Sequence, residues 1–502
     1  MAVAQIQAMQ PPAQPERVQH DDTAVKWALW AGLIYLCVFG VIGFITAVKF
    51  IIPGLFEGVN WLSWPRLRPA HVQGMIFGWL LPVYMSMFYY MIPRLCGTPL
   101  WSNKIGKVTT VIWSVGIVIA TFGLLNPMDT TNLWIMTKGK EYEDYDLLSN
   151  IFLLTGWVLL VYNMGMTFAR RKYKQMYASL WYAMGCLLWT AFVYIIGNWP
   201  SQLLGDTFQG ATGEALGFNG MNDANINWFY GHSIVGLIAT PGGLALAYYF
   251  LPKATNAPLY SHKLSLIGFW TLGAIYIWNG AHHMIYGPIP YWLQTLATIF
   301  SFLLFIPVFA VVTNFFGTVR GEWHQLRTNI PMKFIISGTV FYLLTCIQGP
   351  TQALRDLSAI VHFTDYIIGH AHMALFGTFT FFAYAAVYYA IPRAYKKPLY
   401  SEGMAEWHFW LSFIGFIFFS VALWVGGFYQ GWEWSNPNIT FVQTIHDIMP
   451  FWHIRALGGL MMLVGMFIFT FNLYKTATVP VPPVTDEEIR NAEGRNVAVN
   501  QS

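Results

Sequence analysis

The sequence predicts an all-α, polytopic membrane protein, a bundle of twelve transmembrane helices. Three observations predict it. The 502 residues are 56% hydrophobic and 18% aromatic. Only 10% are charged, against about a quarter in soluble domains. Apolar runs close to the roughly 20 residues that cross a hydrocarbon core recur twelve times along the chain. Such a chain is surrounded by lipid, and neither its composition nor its formal charge of +4 suggests a nucleic-acid partner.

In order, the predicted spans run from Lys26 to Ile52, His71 to Arg94, Lys107 to Leu125, Leu148 to Ala169, Tyr177 to Ile196 and Trp228 to Leu251. They continue from Lys263 to Met284, Tyr291 to Phe316, Met332 to Ile347, Thr364 to Ile391, Trp407 to Tyr429 and Arg455 to Tyr474. Lys and Arg mark cytoplasmic loops. They collect after the second span (Lys104, Lys107), the fourth (Arg170, Arg171, Lys172, Lys174), the eighth (Arg320, Arg327, Lys333) and the tenth (Arg393, Lys396, Lys397). Acids collect in the opposite loops, among them Glu141, Glu143, Asp144, Asp146, Asp206 and Glu214. Both termini are therefore expected on the cytoplasmic side of a bacterial inner membrane. Residues 1–25 form a polar tail without a signal-peptide core, 26–474 the helical domain, and 475–502 a solvated tail.

Cys37, Cys96, Cys186 and Cys346 lie in or beside separate spans, which suggests neither a disulfide framework nor a thiolate site. There is no CxxCH, so a c-type haem must belong to another subunit. No short-period repeat is evident.

Chemistry is concentrated in the histidines. His370 and His372 sit two residues apart in YIIGHAHMALFG, about 200° apart around a helix, so one helix can serve a metal centre on each flank. On the predicted topology His71, His232, His282, His283, His370 and His372 share one depth in the outer third of the membrane. Buried imidazoles at membrane depth are costly and point to function. His20, His262, His324, His362, His408, His446 and His453 fall in loops or at helix ends and read as interfacial. His232, His282 and His283 can form a trigonal nitrogen site that suits copper better than magnesium or calcium, with Gly280 permitting a distorted turn. His71, His370 and His372 suit haem iron, two for a bis-histidine haem and one for a haem with an open face. Tyr276 lies seven residues before His283 on nearly the same helix face and can supply a proton and an electron. Ser265 shares that face toward the cytoplasm, and Tyr248 lies near the inner end of the sixth span; both are candidates for a proton path.

The segments RLRPAHVQG, WFYGHSIVG, YIWNGAHHMIYG, IIGHAHMALFG and HIRALGG, in this order over nearly all twelve helices, resemble the catalytic subunit of haem–copper oxidases. Within that superfamily they are most similar to the C-family, the cbb3-type cytochrome c oxidases. The resemblance implies that His71 and His372 ligate a low-spin haem b and that His370 is the axial ligand of a high-spin haem. It implies that His232, His282 and His283 hold copper and that Tyr276 is covalently joined to His232. Arg66, Arg68 and Arg455 stand at outer helix ends and are candidates for propionate contacts, with interfacial anchoring as the alternative. The loop KGKEYEDYDLL resembles a segment that helps hold calcium, with Glu141, Asp144 or Asp146 as candidate ligands and a plain solvated loop as the alternative.

Two residues depart from the family. Gln348 stands where a glutamate of a Glu-Gly-Pro stretch is usual, and Gly268 where a histidine is usual. The expected activity is reduction of O2 to water with electrons from cytochrome c, coupled to proton translocation, with membrane-anchored c-type cytochrome subunits as partners. The alternative is a nitric oxide reductase, which replaces copper by non-haem iron and usually recruits glutamate; no carboxylate follows His232 within a helix turn. A secondary transporter would instead place polar residues at midplane in paired halves.

Overall fold

The computed structural model describes residues 18–126, 140–199 and 220–480. Asp206, Glu214 and most of both tails lie outside the described residues. The described residues are helical throughout, with no strand. Twelve helices correspond to the twelve predicted spans: α1 (Thr23–Val48), α2 (Trp64–Cys96), α3 (Asn103–Leu125), α4 (Leu147–Ala169), α5 (Ala178–Trp199) and α6 (Gly220–Thr255). They continue with α7 (His262–Tyr276), α8 (Tyr291–Thr318), α9 (Ile330–Gln352), α10 (Asp365–Tyr395), α11 (Glu402–Trp434) and α12 (Phe441–Thr478). Eleven are long and apolar enough to cross a membrane; α7, with 15 helical residues, is the exception. The four cysteines are unpaired.

The core is made by α2, α6 and α10, whose apolar windows are 94% buried, against 33–61% in the other spans. These three helices are copies of one design. YYMIPRLCGTPLWS, YYFLPKATNAPLYS and YYAIPRAYKKPLYS end them. Each terminates on a left-handed residue, Gly97 (φ 60°), Asn256 (φ 55°) or Lys396 (φ 53°). Each is followed by a serine N-cap, Ser102, Ser261 or Ser401, whose Oγ accepts from the amide three residues on and satisfies an orphan donor of the next helix.

An asparagine two helices later closes the unit on both sides. Asn163, Asn314 and Asn472 each accept from the serine N–H, at 3.0, 2.9 and 3.1 Å. Each also donates to the serine carbonyl, at 3.0, 2.8 and 2.8 Å. The repeat is too long in period to be seen as a short one, and the sequence reading missed it.

The repeat explains why four of the six histidines, His71, His232, His370 and His372, share a level. Aligned on Pro93, Pro252 and Pro392, His71, Tyr230 and His370 are equivalent, and so are Gln73, His232 and His372. Each helix then widens into a π-helical stretch, Gly74–Leu80, Ile234–Ala239 or Met373–Thr380, a feature that clusters at functional sites.

Three predicted positions differ. His71 does not open its helix, because α2 begins at Trp64 with Pro65 in its first turn. His282 and His283 do not close α7: the helix ends at Tyr276 and the pair sits on a separate 3-10 turn, Gly280–Met284. His408 is not interfacial but fully buried, bonded through Nδ1 to the Tyr388 hydroxyl at 3.0 Å and packed against Phe334 and Phe469.

Candidate metal centre

His232, His282 and His283 come together, each offering one nitrogen within 4.8 Å of the others. Among the described residues they are the one group of three or more His, Cys, Asp or Glu side chains placed to hold a metal ion. Gly280 makes the approach feasible, since a Cβ there would stand 2.6 Å from the Trp228 carbonyl of α6. Trp228, four residues before His232, stacks on His283 with centroids 4.2 Å apart. The buried His232 Nε2 has no protein partner, as a metal-facing nitrogen would not.

Hydrogen bonds fix the tautomers. The Ser301 hydroxyl donates to Ala297 O at 2.7 Å, so it accepts from His282 Nδ1–H at 2.7 Å and leaves Nε2 free. Likewise His71 Nδ1–H donates to Phe39 O at 2.8 Å and His372 Nδ1–H to Ile368 O at 2.9 Å. The His71 and His372 rings lie 6.2 Å apart and 16° from parallel. That is the spacing two imidazoles take on either side of one metal ion held by bonds of about 2 Å. The donor set and its spacing therefore fit both a haem iron between His71 and His372 and a copper ion among the other three. His370 flanks the opposite side of α10, where its Nδ1–H donates to Gln348 Oε1 at 3.4 Å.

Tyr276 lies on His232, ring on ring, with centroids 4.3 Å apart and planes 18° from parallel. Gly236, one turn beyond His232 in the π-helical stretch, admits it: a methyl there would overlap the phenol ring. Tyr248 joins a buried polar line below, which Ser265 meets through its carbonyl, its hydroxyl donating to His262 O at 2.6 Å. The Tyr182 hydroxyl donates to Ser265 O at 3.2 Å, its ring stacks on Tyr248 at 5.1 Å, and Asn314 donates to the Tyr248 hydroxyl at 3.4 Å. On α9, Tyr342 and Cys346 stand one turn apart, near Tyr248 and Tyr276. Tyr182, Tyr342 and Cys346 were missed; the i, i+4 spacing of Tyr342 and Cys346 was the available signal. Gly268 is explained sterically, because a Cβ there would stand 2.7 Å from the Tyr182 hydroxyl oxygen.

The charged candidates at the outer ends are dispersed. Arg68 holds Glu141 in a bidentate pair at 2.7 and 2.9 Å. Asp144 accepts from Gln73 at 3.1 Å, and Asp146 caps α4 through Ser149 N at 2.8 Å. The three acids thus do not converge among the described residues. Arg66 reaches Asn126 O. Arg455 is buried, 3.8 Å from Asp365, which also accepts from Trp452 Nε1 at 2.6 Å; this Asp365–Trp452 support was also missed.

The family model for cytochrome c and quinol oxidase polypeptide I matches residues 23–461. The chain is 31% identical to the cytochrome c oxidase subunit 1 homolog, bacteroid, of Bradyrhizobium diazoefficiens, over 93% of this chain and 85% of that one. It is 30% identical to the cbb3-type cytochrome c oxidase subunit CcoN1 of Stutzerimonas stutzeri, over 90% and 95%. A nitric oxide reductase chain of the same organism matches at 24%, over 88% and 94%. The solved structure of a haem–copper terminal oxidase dimer superposes with a TM-score of 0.69 at 17% identity, over 92% and 85%, a likeness of fold. With four of its six candidate ligand histidines carried on three copies of one buried helix, the chain belongs to the cytochrome c and quinol oxidase polypeptide I family.

Proposed function

We propose that this chain is the catalytic subunit of a proton-translocating terminal oxidase that reduces O2 to water with electrons from cytochrome c. The single observation that carries the reading is the all-imidazole trio His232, His282 and His283 with Tyr276 stacked on His232. Its relatives named cytochrome c oxidase, at about 30% identity over most of both chains, support it. The rival, nitric oxide reduction at non-haem iron, expects a carboxylate beside the histidines. That trio contains none, and the relative so named matches at 24%.

His71 and His372 would hold a low-spin haem b, His370 a high-spin haem, and His232, His282 and His283 copper. When bound, these groups supply the electron transfer and the site of O2 reduction. The chain's own residues orient and feed them. Ser301, Phe39 O and Ile368 O hold three of the imidazoles in the tautomer that presents Nε2. The Tyr276 phenol stands where its proton and electron are available beside His232, and it would be cross-linked to that ligand. Tyr182, Tyr248, Tyr342 and Cys346 would line the buried route by which a proton returns to Tyr276, with the Ser265 hydroxyl, which donates to His262 O at 2.6 Å, at its inner end.

Arg455 and Arg66 would contact the propionates, with interfacial anchoring as the alternative. Arg68 is engaged by Glu141, which leaves Asp144 as the loop acid with most to gain from calcium. The loop charges support a topology in which both termini, with tails at 1–25 and 475–502, would lie on the cytoplasmic side of a bacterial inner membrane. Membrane-anchored c-type cytochrome subunits would deliver the electrons.

Copper, total iron and haem iron counted separately in the purified complex test the reading. One copper per high-spin haem is expected, with O2 uptake abolished in His232→Ala. Iron in excess of haem with no copper would overturn it in favour of nitric oxide.

A further inference from the structure

α9 brings to His370 a side chain that the reaction as described does not use. The His370 Nδ1–H donates to Gln348 Oε1 at 3.4 Å. Tyr366, one turn before His370 on α10, neighbours the same amide. Gly349 brings the backbone of α9 up to the ring: a Cβ there would lie in van der Waals contact with His370, 3.6 Å from Cε1.

The other haem-side histidines are anchored differently. His71 and His372 donate to the main-chain carbonyls of Phe39 and Ile368, partners that no substitution at those positions removes. Of these three imidazoles, His370 is the one whose Nδ1 partner is a side chain. The strength of that bond is therefore open to change by a single residue.

A carboxylate in place of the amide makes a charge-assisted bond about twice as strong. A stronger acceptor draws the Nδ1 proton, makes Nε2 a better donor and stabilises the oxidised iron. Resting on the reading of His370 as the axial ligand of the high-spin haem, we infer that Gln348 is a positioning residue. It orients His370 and, as a neutral acceptor, holds the reduction potential of that haem above the value a carboxylate at 348 would impose.

The test uses the purified complex, with the iron–histidine stretching mode of the reduced high-spin haem and a spectroelectrochemical titration of both haems. Gln348→Glu is expected to raise the mode and shift the high-spin potential downward. Gln348→Leu and Gln348→Asn, which remove or withdraw the acceptor, are expected to lower the mode and shift that potential upward. The low-spin potential stays fixed in all three. Should Gln348→Glu fail to assemble, the other two carry the test. A mode and potential that do not move in any variant overturn the inference while leaving His370 as the ligand. A mode that survives in His370→Gly overturns the reading of His370, and the inference with it.

Discussion

At the scale of single residues, the site depends as much on missing side chains as on ligands. Gly236 has no Cβ where the Tyr276 ring lies on His232, and Gly280 has none where the His282–His283 turn meets α6. Gly236→Ala is therefore expected to push Tyr276 off His232. Mass spectrometry of digests should find the His232 and Tyr276 peptides joined in the parent and separate in the variant, with O2 uptake at least about 100-fold lower, the scale of a lost proton donor. A joined peptide in the variant would show that the ring tolerates the methyl. The clustering of His232, His282 and His283 was legible because several imidazoles at one membrane depth are costly unless they bind something. His408 was misread for the complementary reason: beside the start of a predicted span it reads as interfacial, yet α11 begins at Glu402 and neighbouring helices cover the ring completely.

At the scale of elements, the repeated latch sets the register of the bundle. Asn163, Asn314 and Asn472 are fully buried, and each satisfies both the N–H and the C=O of a serine N-cap. Replacing any one by Ala strands two buried backbone groups, at a cost of about 1–3 kcal/mol for each. Asn163→Ala is expected to lower the midpoint of thermal unfolding of the purified complex with the haem spectra unchanged. Asn314→Ala should lower it similarly and also slow O2 uptake, because Asn314 bonds the Tyr248 hydroxyl. Equal O2 uptake in the two variants would separate Tyr248 from proton delivery. Hydropathy found the existence and number of the helices. It missed the end of α7 at Tyr276, because WNGAHHM continues the apolar run while the backbone leaves the α-helix. It also placed the start of α2 too late, since Arg66 and Arg68 look like loop residues although they occupy the first helical turns.

At the scale of the whole molecule, the outer loop reports on folding through charge. Burial pushes the Asp144 carboxyl up to about 6, helped by Glu141 and opposed by Gln73 and Arg68. Its proton is then held more tightly in the folded than in the unfolded chain, where the group titrates at about 3.9. The contribution of this group to stability is therefore expected to be fully present below about pH 4 and to be lost as pH rises through about 6. Thermal midpoints in chelator across that window should decline in the parent and flatten in Asp144→Asn. Added calcium should restore the parent at neutral pH; if it has no effect, the loop is not a calcium site. Sequence alone determined the membrane class, the twelve spans and the six histidines, because hydropathy and the cost of burying an imidazole act locally along the chain. Only the tertiary structure decided which imidazoles stand together, that Tyr276 meets His232, that Gln348 meets His370 and that Arg68 is consumed by Glu141. Those pairings join helices far apart in sequence, and they depend on how three copies of one helix pack rather than on any local pattern.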